Sequence, residues 1–66
     1  MKTKRWIPEL GEEYYYIEFA WEIRVCVDRN NGFLTDDERI TVDNCFKTKK
    51  EATKKLKLIK MILEQP

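Results

Sequence analysis

The feature that most constrains the fold of this chain is a run of alternating side chains in its first half. Every odd position from Tyr15 to Val27 is apolar or aromatic, and charged residues such as Glu18, Glu22 and Arg24 stand between them. Side chains alternate between the two faces of a strand, so the pattern predicts β-structure with one buried face. The run covers residues 15–27, which is long against a typical strand of about 5–6 residues.

Two arrangements fit a run of this length: one long bent strand, or a hairpin with an odd-length loop. A two-residue loop would mix apolar and charged side chains on one face, whereas a three-residue loop keeps the odd positions together. We favour a hairpin with a three-residue loop centred near Ala20, which pairs Ile17 with Ile23 and Tyr15 with Val25.

The middle of the chain predicts a turn followed by a third strand. Residues 28–32 contain Asn31-Gly32, a dipeptide suited to a positive φ angle. We expect Phe33 and Leu34 to be tucked under the sheet, and residues 35–38 to form an acidic loop or one helical turn. Residues 39–42 alternate and lead to residues 44–46, the predicted third strand.

The C-terminal third predicts a capped amphipathic helix from about Lys49 to Glu64. Thr48 and Glu51 have the T-x-x-E spacing of a capping box, in which the threonine hydroxyl accepts a helical N–H. One narrow apolar stripe is expected to face the sheet. Its members are Ala52, Leu56, Ile59 and Leu63.

Together these segments predict an α+β fold: a small antiparallel three-stranded sheet (β-β-β-α) with the C-terminal amphipathic helix packed on one face. At 66 residues, we expect the whole sequence to form a single small domain. Within it, residues 1–11 are a lead-in, residues 12–47 the sheet and residues 48–64 the helix.

The composition argues against catalysis and against a bound cofactor or metal. The chain has neither histidine nor serine, which removes imidazole bases, imidazole ligands and the serine triad. Residues 28–32 resemble the start of a calcium loop, but Arg39 stands where that loop needs a glutamate. Cys26 and Cys45 are too few for a disulfide scaffold, and we predict that both are buried free thiols.

Charge is segregated along the chain. Residues 1–46 carry six basic and ten acidic side chains, whereas residues 47–66 carry seven lysines and two glutamates. On a helical projection, five lysines occupy one continuous arc, which could attract phosphates or simply solvate the outer face of the helix. They are Lys49, Lys50, Lys54, Lys57 and Lys60.

The helix also has a second apolar arc. Leu58, Met61 and Ile62 project mostly away from the core-facing stripe, and a sheet on one side cannot cover both. We predict that they form an interface with a partner, most simply in a homodimer. The alternative is that Phe33 and Leu34, or the segment around Trp6, cover them within one chain.

Three segments resemble a short domain common in phages and prophages of Gram-positive bacteria. The resemblance spans roughly residues 6–63, and two positions depart from the pattern: Asp43 replaces a glycine, and residues 18–21 replace an Asp-Gly type of turn. The segments are Trp6-x-Pro8-x-x-Gly11-Glu12-x-Tyr14-Tyr15-x-Ile17, Asp36-x-x-Arg39 and Asn44-x-Phe46-x-Thr48-Lys49-x-Glu51-Ala52.

The resemblance implies a phage or prophage setting, in which small proteins often bind host or defence enzymes. It carries no functional residues over to this chain. We therefore expect a non-enzymatic binding protein that acts through a protein–protein interface and modulates or inhibits a host or defence enzyme. The alternative is a nucleic-acid-binding module that uses the lysines. No apolar run is long enough to span a membrane and no signal peptide is evident, so we expect a cytoplasmic protein without membrane contact.

Overall fold

The computed structural model describes residues 6–64, which form an α+β fold as predicted. The elements follow in the order β1 (Glu13–Phe19), β2 (Ile23–Arg29), α1 (Leu34–Thr41) and α2 (Lys49–Glu64). The first five residues of the predicted lead-in lie outside the described part of the chain.

Strands β1 and β2 form the predicted antiparallel hairpin with a three-residue loop, and one long bent strand is ruled out. The loop is residues 20–22, so its centre is Trp21 and not Ala20. The predicted partners are therefore wrong, although the odd positions still share a face. The observed pairs are Tyr15 with Val27, Ile17 with Val25 and Phe19 with Ile23.

Cross-strand charge explains this register. The predicted loop would have placed Glu18 opposite Glu22, where like charges repel. In the structure Glu18 lies opposite Arg24, and the guanidinium is 2.9 Å from the carboxylate. Both registers keep the odd positions on one face, of which Ile17 is buried while Phe19 and Val27 are exposed, so the facing charges favour the observed register over the predicted one.

The predicted third strand is reduced to one bridge in the described chain. Phe46 exchanges two backbone hydrogen bonds with Tyr15, of 2.9 and 2.8 Å. Beside this bridge, the side-chain amide of Asn44 accepts a hydrogen bond from the Ile17 N–H at 2.9 Å and donates one to the Ile17 carbonyl at 2.8 Å. A single amide side chain thus takes the place of the next backbone pair.

Residues 35–38, predicted as an acidic loop or one helical turn, are helical, and the helix α1 continues through most of residues 39–42, where the third strand was predicted to start. Its first turn contains Asp36 and Asp37, which favour a helix N-terminus. The alternation in residues 39–42 is too short to distinguish a strand from a helix. Phe33 and Leu34 are exposed, so the prediction that they are tucked under the sheet is wrong.

Helix α1 ends in a Schellman motif that uses a non-glycine residue. Asp43 has a φ of 61°, its N–H donates to the Ile40 carbonyl at 3.1 Å, and the N–H of Asn44 donates to the Arg39 carbonyl at 2.7 Å. Glycine is the usual residue at this position because it has no Cβ. The resemblance described above has glycine there too.

Helix α2 begins and ends where the sequence predicts, and it contacts both strands. The Thr48 hydroxyl accepts the predicted capping hydrogen bond from the Glu51 N–H at 3.2 Å. Ala52 is fully buried and Ile59 half-buried, whereas Leu63 is exposed and does not pack against the sheet. Sixteen residues span about 24 Å, and we attribute the exposure of Leu63 to the last turn extending beyond the hairpin.

We predict that Asp43→Gly is more stable than Asp43→Ala by about 1 kcal/mol, because a left-handed conformation costs alanine more than glycine. Both variants lose the aspartate side chain, so their difference isolates the backbone effect. Urea unfolding of the two variants measures it. Equal midpoints would show that the positive φ is not strained.

Candidate binding surface

The sequence offers two candidate surfaces on α2, but the most tightly organised polar group lies on the opposite side of the sheet. Tyr14 is completely buried there, and its hydroxyl donates a hydrogen bond to the Asp36 carboxylate at 2.5 Å. Arg39 donates to the Tyr14 hydroxyl at 2.8 Å and to the Asp28 carboxylate at 2.7 Å. Its guanidinium also lies over the Tyr16 ring, 3.7 Å from the centroid.

The network shifts the pKa values of its members. Burial, reinforced by the hydrogen bond to Asp36, raises the pKa of Tyr14 to about 12. The hydrogen bond from Tyr14 outweighs the effect of burial and lowers the pKa of Asp36. Burial alone would lower the pKa of Arg39, but hydrogen bonds to Tyr14 and Asp28 raise it.

This network is saturated. The second oxygen of Asp36 accepts the backbone N–H groups of Asn31 and Phe33 at 3.1 and 3.2 Å. No buried side-chain nitrogen or oxygen lacks a hydrogen-bond partner within residues 6–64. The cluster therefore joins α1 to the sheet and leaves no buried polar group unpaired for a substrate.

Tyr14 gives the stability of the fold a specific pH dependence. Its folded pKa of about 12 lies above the unfolded value of about 10. The stabilisation is therefore complete below about pH 10 and is lost between about pH 10 and 12, by at most about 3 kcal/mol. Tyr14→Phe lowers the free energy of unfolding by about 1–3 kcal/mol at neutral pH. Because the wild type loses the contribution of Tyr14 as the pH rises, we expect the free energies of unfolding of the two proteins to converge near pH 12. A difference that stays constant with pH would contradict this assignment.

The first candidate surface on α2 is apolar. Leu58, Met61 and Ile62 are 50%, 60% and 69% exposed, and they line one depression together with Lys55 and Ile59. We call Leu58, Met61 and Ile62 the apolar ridge. The alternative in which Phe33 and Leu34 cover these residues is wrong, because both sets are exposed.

The second candidate surface carries the lysines. Lys49, Lys50, Lys54 and Lys57 line a shared depression with Thr53, and Lys60 is exposed further along α2. The structure thus brings four of the five predicted lysines together in one place.

Two exposed features of the structure were not predicted from the sequence. Trp21 at the hairpin tip is fully exposed, although its place in the alternating run predicted burial. The outer edge of β2 pairs with no other strand in the described chain, because the sheet has only two strands. Periodicity identifies a buried face of a strand, but it gives no signal for a free edge.

Comparison of the chain with protein-family models, curated proteins and solved structures finds no match. Within the described residues, no cluster of three or more histidine, cysteine, aspartate or glutamate side chains is placed to hold a metal. Cys26 and Cys45 are not joined by a disulfide, and the prediction that both are buried is wrong for Cys26, which is half-buried. None of the helices described is both long and apolar enough to cross a bilayer.

Proposed function

We propose that this protein is a non-enzymatic binding module whose apolar ridge docks on a partner protein. The observation that carries the proposal is the exposure of Leu58, Met61 and Ile62 side by side on one helix. Clustered large apolar side chains are typical of interaction sites, whereas single exposed ones are ordinary.

The charge of α2 constrains the partner. The helix has six lysines and two glutamates, and Lys55 lies beside the apolar ridge. A partner that offers an apolar groove with an acidic rim would complement both features. A second copy packed helix against helix would bring two basic surfaces together, so charge favours a different protein over the predicted homodimer. If the phage resemblance reflects the setting, the partner is a host or defence protein.

Matched exposed substitutions test this proposal. Proteins captured from a Gram-positive lysate with the tagged chain are purified and titrated against variants by calorimetry. We expect Leu58→Glu to weaken binding by at least about tenfold, as for a residue central to an interface. Leu34→Glu introduces the same change at an exposed site outside α2, and we expect it to leave the affinity within about twofold.

Each opposite outcome rejects part of the proposal. If Leu58→Glu and Leu34→Glu bind equally, the apolar ridge is not the interface. If the chain alone sediments as a dimer that Leu58→Glu dissociates, the partner at the ridge is a second copy.

The second candidate is nucleic-acid binding through the lysines, supported by the common depression that Lys49, Lys50, Lys54 and Lys57 line. Flexible ammonium groups suit phosphate contact without base readout. This function predicts an affinity for duplex DNA that depends steeply on salt and little on sequence.

With five lysine–phosphate contacts, the affinity for duplex DNA falls by about 10²–10³ between about 50 and 200 mM salt. Reversing Lys50 and Lys54 to glutamate abolishes that binding, whereas Leu58→Glu leaves it unchanged. Fluorescence anisotropy with a random-sequence duplex measures both effects. Binding that ignores salt or survives the lysine reversal rejects this candidate.

A further inference from the structure

The outer edge of β2 presents unpaired backbone groups. Tyr15 and Ile17 direct their N–H and carbonyl groups to Phe46 and Asn44, away from β2. The antiparallel register places odd positions opposite odd positions, so the odd positions of β2 also direct these groups away from the partner strand. We call the outward backbone groups of Ile23, Val25 and Val27 the β2 edge.

No residue within 6–64 forms a hydrogen bond to this edge. It ends at Arg29, whose N–H is turned to the Asp28 carboxylate at 2.7 Å. Edge strands are usually protected by proline, by a bulge or by charged side chains. Strand β2 has no proline and pairs regularly with β1, and each of its three charged side chains is engaged with a residue outside β2. These ion pairs are Arg24 with Glu18, Asp28 with Arg39 and Arg29 with Glu13.

The helical projection of α2 directs positive charge toward this edge. One flank of the helix faces the outer side of β1, because Lys55 lines a crevice with Phe46 there. At about 100° per residue, Lys49, Lys57 and Lys60 project toward the opposite flank, on the side of the β2 edge. All three are exposed, and we call them the lysine row.

We propose that the β2 edge binds an extended acidic segment of a partner protein as an additional strand. The backbone of the segment would complete the ladder along Ile23, Val25 and Val27, as in β-strand addition. Alternate side chains of an added strand would face α2, where the lysine row favours aspartate or glutamate. This site is separate from the apolar ridge, so the inference goes beyond the function proposed above.

The lysine row disfavours the two other occupants. In a two-fold pairing of β2 with a second copy, both α2 helices lie on one face of a four-stranded sheet, and their lysine rows face each other. Because the two β2 strands would be adjacent in the sheet, the two lysine rows would be brought toward each other and would repel. Nucleic acid would satisfy the lysines but would leave the alternating N–H and carbonyl groups of the edge without a matching ladder.

A displayed library of random peptides of about 12 residues, selected on the full chain, is the probe. We expect the enriched peptides to carry acidic residues at alternate positions. Because the N–H of Val25 points away from β1, Val25→Pro removes this N–H without removing a hydrogen bond to β1. Edge strands tolerate proline on their free side. Val25→Thr retains the N–H and a β-branched side chain, and it is the matched control.

We expect Val25→Pro to lower the affinity for the selected peptides by at least about tenfold, and Val25→Thr to lower it by less than about threefold. Replacing both Lys57 and Lys60 by glutamate is expected to lower the affinity about as much as Val25→Pro. Replacing both Lys54 and Lys55 by glutamate changes the net charge by the same amount, but on other sides of α2. We expect this control to lower the affinity less. Circular dichroism and thermal midpoints confirm that each variant is folded.

Each alternative result overturns the proposal. If no peptide is enriched, or if Val25→Pro and Val25→Thr bind equally, the edge is not a strand-docking site. If the lysine reversals abolish binding while Val25→Pro has no effect, the lysine row is a polyanion site independent of the edge. If the chain alone forms a dimer that Val25→Pro dissociates, the edge is occupied by a second copy.

Discussion

The carboxylate of Asp36 is the group on which the arrangement of the fold depends. It accepts the Tyr14 hydroxyl and two backbone N–H groups while 1% exposed, with the Arg39 guanidinium 3.9 Å away. A buried charge is tolerated only when it is hydrogen-bonded and paired. Asp36 therefore fixes both where α1 begins and how α1 is positioned against the sheet. Because α1 is followed in the chain by Asn44 and Phe46, the same carboxylate helps to place these two residues beside β1.

That connection makes the two sides of the hairpin unequal. The outer side of β1 is satisfied by the Phe46 backbone and the Asn44 amide, whereas the outer side of β2 has no equivalent partner in the described chain. The two faces of the sheet are both occupied, one by α2 and the other by the network around Tyr14. Within residues 6–64, the hairpin is covered on both faces and along β1 and retains one open edge, and the helical projection of α2 directs the lysine row toward that side.

The parts of this fold that could be predicted from the sequence are those that local patterns determine. Alternation predicted the hairpin, and the Thr48 cap predicted where α2 begins. The network could not be predicted, because Tyr14 and Asp36 are 22 residues apart and periodicity carries no information about such pairs. The register was predictable in principle, since Glu18 opposite Glu22 is a visible conflict. For the candidate surfaces, the helical projection located the apolar ridge and the lysines, but the open edge of β2 requires knowledge of the pairing.

The residues that carry the phage resemblance are mostly engaged in holding the fold. The Pro8 carbonyl accepts a hydrogen bond from the Asn30 side-chain amide at 3.0 Å, Gly11 has a φ of 89°, and Ala52 is the fully buried residue of α2. Tyr14, Asp36 and Asn44 act in the ways described above. The apolar ridge, the lysine row beyond Lys49, and the β2 edge all lie outside those segments. Another chain with the same three segments would therefore be expected to share the architecture, while the identity of its partner would be set by positions that the segments leave free.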